Sequence, residues 1–154
     1  MGVYARDQLD QLQLTRLPCA IVVNTDVASG PGEHWVCIYV DGLGRGEYFD
    51  SYGREPLKQV ENLFDYNNII NYTYNTTPLQ AVGSIVCGQY CLYYLMRRIL
   101  CDESLYSIVK KLLGVHGPFI RDNYVNEYVR KYYKIVQNAY TVHMLVQLCK
   151  PFML

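Results

Sequence analysis

No apolar run in these 154 residues approaches the roughly 18 that a membrane-spanning helix needs. The opening MGVYARDQLD also lacks the apolar stretch of a secretion signal. The expectation is therefore an intracellular protein with no membrane partner; nucleus, cytoplasm and virion are not distinguished. An excess of either charge is missing too, since 14 Lys and Arg balance 14 Asp and Glu. That balance removes the electrostatic case for nucleic acid. There is no repeat, no linker and no polar low-complexity tract, so a single folded domain over 1–154 is expected. Nor is there a CxxC pair among the six cysteines. Cys87 and Cys91 stand four apart, but no second ligand pair follows at finger spacing, which argues against zinc. A chain of this length builds a core without disulfide staples. Most of the thiols are accordingly read as reduced and buried.

What is present is punctuated clearly. Residues 1–17 read as a short turn or helix laid over the domain. After Pro18, CAIVVNTD is a β-branched run of the kind that forms a buried strand. A glycine- and proline-rich loop leads to HWVCIYVD, and GLGRG turns that strand into EYFDSYG as an antiparallel hairpin. Residues 56–66 carry Leu57, Val60, Leu63 and Phe64 on one helical face. NNIINYTYNTTPLQ reads as a fourth strand, and its two glycosylation sequons, at Asn71 and Asn75, as unused polar residues. A helix follows from Cys87 to Leu100, with Arg97 and Arg98 near its end, where cations suit the dipole. Helices over 102–113 and from Asp122 to Tyr133 come next. The closing HMLVQLCKPFML is too apolar for a free tail. The sixteen tyrosines are read as half-buried packing with wet hydroxyls. The class is α+β, a mixed and mainly antiparallel sheet packed on a central helix that starts at Cys87.

Four residues in this order could share chemistry. Cys87 stands where a loop becomes a helix, and free backbone N–H groups there favour thiolate over thiol. His34 stands at a loop-to-strand junction. Asp50 ends the partner strand of the hairpin, from which a carboxylate can orient an imidazole. Gln80 precedes Cys87 by seven residues, across a loop short enough to return its amide toward the thiol. Its amide and the Cys87 N–H would be donors for an oxyanion. Each residue has a plainer reading: a buried structural cysteine, a surface histidine, a turn aspartate, a polar loop glutamine.

The segments GEHWVCIYV, EYFDSYG and QAVGSIVCGQYC resemble, in their order and local residues, the adenovirus endopeptidase (adenain) family. More distantly they resemble the proteases that cleave ubiquitin-like proteins. The similarity runs from about Cys19 through Leu100 and includes CAIVVNTD and PLKQVENLF. The resemblance implies a cysteine endopeptidase with Cys87 as nucleophile, His34 as general base, Asp50 orienting it and Gln80 in the oxyanion hole. Asp50 stands where adenain has Glu, as in the ubiquitin-like-protein proteases, whereas the Gln-to-Cys spacing is that of adenain. A brief start before the first strand favours a processing enzyme over a deconjugating one. The implied substrate is a polypeptide cut after a small residue such as glycine, in a viral or virus-like setting. No cofactor is required by the residues. A peptide or DNA activator is implied by the resemblance alone, and oligomeric state is left open. Two other classes remain, a non-catalytic binding descendant and an acyltransferase in which an amine intercepts the acyl-cysteine.

Overall fold

The computed structural model describes residues 2–136; the closing apolar segment and Cys149 lie outside them. Five strands form one sheet in the order β1 to β5: β1 Gly2–Ala5, β2 Cys19–Asn24, β3 Trp35–Val40, β4 Gly46–Phe49 and β5 Tyr72–Tyr74. The central pairings β2–β3 and β3–β4 are antiparallel, and both edge pairings are parallel. Four helices complete the fold: α1 Lys58–Tyr66, α2 Cys87–Leu100, α3 Leu105–Leu113 and α4 Pro118–Val136. The α+β reading holds, with the mixed sheet packed on the helix that begins at Cys87.

The strands read as near-continuous apolar runs because both faces of the sheet are covered. Ala20, Val22, Cys37 and Phe49 pack toward α2, α3 and α4. Ile21, Val23, Val36, Ile38 and Tyr48 pack on the opposite face against Val60, Leu63 and Phe64 of α1. Nine of the fourteen residues of α2 are buried, as befits a helix held between sheet and α3–α4.

Several boundaries differ from expectation. The chain opens with a strand that was not expected, residues 2–5 pairing in parallel with Ile21–Asn24, and the expected short helix follows it as a 3-10 turn at Arg6–Gln8. The fourth expected strand shrinks to Tyr72–Tyr74; Asn67 instead terminates α1, donating to Leu63 and Leu12 carbonyls at 2.9 Å and accepting from the Leu14 N–H at 2.8 Å. Helix α4 begins at Pro118 instead of Asp122, with proline in the first turn, where its missing N–H costs nothing. Asp122 therefore lies inside the helix, and its carboxylate serves another purpose, described below. Tyr48, Tyr90, Tyr93 and Tyr94 are fully buried, so their hydroxyls are not wet. Tyr94 bonds Glu47, and Tyr90 bonds Asp122. Cys37, Cys87 and Cys91 are buried as expected, Cys19 is half-buried and Cys101 is exposed.

Candidate active site

The β3–β4 hairpin and the start of α2 meet at one end of the sheet. His34 immediately precedes β3, and Asp50 immediately follows β4. The two residues are 6% and 1% exposed, and His34 Nε2 lies 2.7 Å from Asp50 Oδ1. With Nε2 committed to the carboxylate, Nδ1 is the ring nitrogen that serves the Cys87 sulfur. Tyr52 stacks on the imidazole, 4.9 Å between ring centroids.

Electrostatics bind the pair further. Burial alone would lower the His34 pKa, but hydrogen bonds to Asp50 and Cys87 and the charges of both outweigh it and raise it to about 9. Burial alone would raise the Cys87 thiol. Its hydrogen bond with His34, backbone bonds at Trp35 and Gly88, and the imidazolium charge more than reverse this and hold it below the ordinary cysteine value. Both shifts run in the direction that favours a thiolate beside an imidazolium. Cys91, one turn further on, shows the opposite environment: fully buried beside Cys37, its thiol is pushed well up. It donates to the Trp35 carbonyl at 3.3 Å and belongs to the core.

Gln80 is buried behind the cleft-lining Ser84. Its Oε1 accepts from Ser51 Oγ at 2.7 Å, and its Nε2 donates to the Ser84 carbonyl at 2.8 Å. A carboxamide nitrogen carries two protons, and Ser84 takes one. Only the NH2 end can face a carbonyl, so Ser84 fixes the amide's orientation. A cleft of about 440 Å3 opens over these groups, lined by His34, Cys87 and Ser84 together with Trp35, Arg54 and Ile85. Ile85 is 91% exposed, and Trp35 is half-buried at the cleft wall with part of its surface on the core.

The structure thus brings His34, Asp50 and Cys87 together and sets Gln80 beside a cleft-lining residue. Sequence reasoning missed three supporting side chains. Asn75 holds the Asp50 backbone from both sides, accepting from its N–H at 3.0 Å and donating to its carbonyl at 2.6 Å. This buried pairing also explains why the Asn75 sequon is not a surface feature. Ser51 and Tyr52 complete the set. Their partners lie 29 and 18 positions away in the chain, and only the FDSYG context hinted at them. Among the described residues, no group of three or more His, Cys, Asp or Glu is arranged to hold a metal ion.

No family-wide sequence profile matches the chain. Individual relatives do. The chain is 31% identical over 141 residues to a cysteine protease of African swine fever virus from a tick isolate of Malawi, covering 73% of this chain and 52% of that protein. It is 35% identical over 105 residues to a protein of Acanthamoeba polyphaga mimivirus named as a thiol protease, covering 62% of this chain and 34% of the relative. A warthog isolate of African swine fever virus supplies a relative named SUMO-1 cysteine protease, 30% identical over 141 residues, covering 73% of this chain and 52% of it. A crystal structure of the African swine fever virus protease matches with a TM-score of 0.53 at 20% identity, over 80% of this chain and 56% of that one, a likeness of fold. The chain is thus homologous to viral cysteine proteases. It spans about half the length of the African swine fever virus proteins it matches.

Proposed function

We propose that this chain is a cysteine endopeptidase that cleaves polypeptides after small residues such as glycine, as a processing enzyme of viral or virus-like origin. The observation that carries the reading is the Cys87–His34–Asp50 line at the floor of an open cleft, with the thiol pKa lowered and the imidazole pKa raised. In this reading the Cys87 thiolate attacks the scissile carbonyl carbon. The carbonyl oxygen becomes an oxyanion held by the Gln80 amide and the Cys87 N–H. His34, carrying the thiol proton on Nδ1, passes it to the leaving amine as the C–N bond breaks. Water, deprotonated by His34, then releases the acid and restores the thiol. Trp35 and Ile85 line the cleft together with Cys87, and such bulky walls favour a small residue before the cut.

A peptide library with one fluorogenic bond tests this. Turnover is expected on members with glycine or alanine before the bond, and none with Cys87→Ala, whose melting curve should match the parent. A peptide electrophile should label Cys87 and not Cys91. Labelling at Cys91, or turnover by Cys87→Ala, would overturn the assignment. The name SUMO-1 cysteine protease borne by relatives from three virus isolates favours a second reading, a protease of ubiquitin-like proteins. Cleavage of a SUMO precursor at rates far above those for its isolated tail peptide would select it.

A further inference from the structure

We infer that Asp122, through Tyr90 and the backbone at Ala81, is a positioning residue for the oxyanion hole. The inference rests on the reading of Gln80 given above and concerns what holds that side chain in register with the nucleophile.

The turn carrying Gln80 is anchored on two sides. From the sheet, the Ser51 carbonyl accepts from the N–H groups of Leu79 at 2.8 Å and Gln80 at 3.0 Å. From α4, the Ala81 N–H donates to the Asp122 carboxylate, 3.3 and 3.4 Å to its two oxygens. Arg121, beside it, donates to the Leu79 carbonyl at 2.6 Å and to the Leu112 and Val115 carbonyls at the end of α3. Gln80 is thus the residue between two that α4 grips.

The same carboxylate also reaches the nucleophile's helix. Tyr90, three residues after Cys87, donates its hydroxyl to Asp122 Oδ1 at 2.9 Å, with the Leu79 carbonyl a longer second acceptor at 3.3 Å. Tyr90 is fully buried and Asp122 is 6% exposed. A buried carboxylate is costly unless donors surround it, and here the donors come from the two segments whose separation matters, the oxyanion turn and α2. Burial and the Asp122 carboxylate push the Tyr90 hydroxyl far above its ordinary value, so it remains a donor. One side chain on α4 therefore sets the distance between the attacking sulfur and the amide that receives the oxyanion.

The test uses the full chain with Asp122→Ala, Asp122→Asn and Tyr90→Phe. Two probes separate the oxyanion hole from the thiol: a peptide aldehyde, whose thiohemiacetal oxygen needs the hole, and iodoacetamide, which alkylates the thiolate without forming an oxyanion. Asp122→Ala is expected to lower kcat by about 10- to 100-fold through misplacement of the donor, with KM little changed. Aldehyde affinity should fall by a similar factor while the alkylation rate stays native. Asp122→Asn keeps one acceptor oxygen and should recover part of the loss. Adding Asp122→Ala to Gln80→Ala should cost nothing more, because both act through one group. Parallel loss of aldehyde affinity and alkylation rate, or losses that multiply in the double variant, would overturn the inference. If Asp122→Ala does not fold, Tyr90→Phe, which keeps the ring, decides by the same two probes. Native kcat in Gln80→Ala alone would remove the oxyanion reading first and this inference with it. A deficient Gln80→Ala beside native Asp122 and Tyr90 variants would remove only the inference.

Discussion

Cys87 gives up its proton more readily than an ordinary cysteine, and His34 holds one more tightly than an ordinary histidine. Both shifts draw on the hydrogen bond and charge that the two side chains share. The signs set a pH profile. A histidine with a raised pKa stays charged until pH rises through about 9, after which it has no proton for the leaving amine. A cysteine with a lowered pKa is a thiolate above that lowered value and is lost as pH falls through it. Turnover is expected to follow a bell whose alkaline limb lies near 9. Asp50→Asn replaces the largest of the contributions that raise His34 with a neutral acceptor, so the alkaline limb should move to lower pH; kcat/KM measured against pH checks this. An unmoved limb would mean that another group sets it. Gln80→Ala should lower kcat by about 10²- to 10³-fold, with substrate binding affected much less. Gln80→Glu should be worse, since a carboxylate opposes both the oxyanion and the Cys87 thiolate. Steady-state kinetics with melts alongside reads both variants.

Among the elements, the site depends on a turn that only glycine can make. Gly53, after β4, has φ +66, and a Cβ there would lie 2.7 and 2.8 Å from backbone carbons of Thr77 and Thr76. That close approach brings Asn75 against the Asp50 backbone. Gly53→Ala should therefore cost at least about 1–2 kcal/mol from the left-handed conformation alone, before the overlap is counted. Urea denaturation measures it, and kcat should fall alongside as Asp50 shifts. The hairpin, α1 and α2 were legible in the sequence because period and turn residues are local signals. β1 was not, since four residues become a strand only through a partner at Ile21–Asn24. The order His34, Asp50, Gln80, Cys87 was legible from local context. Asn75, Ser51 and Asp122 were not, because each acts on a residue 25 to 41 positions away, and nothing local marks a polar side chain that will be buried.

For the molecule as a whole, the three layers make the site a product of assembly. His34 and Asp50 come from the sheet, Cys87 from the helix layer on one of its faces, and Asp122 from the last described helix. None of the described helices is long and apolar enough to cross a membrane. The lowered thiol pKa needs His34, which lies on a different layer 53 positions earlier in the chain. A partly folded chain with α2 formed but not docked would lack the His34 bond that does most to lower the thiol, and would react more slowly. Cys87 thus serves as a clock for folding. In a refolding experiment, its heightened reactivity should appear with the slow rise of tertiary fluorescence and lag behind the fast gain of helical ellipticity. Under the proposed function, the chain would then have no attacking thiolate until its layers have closed.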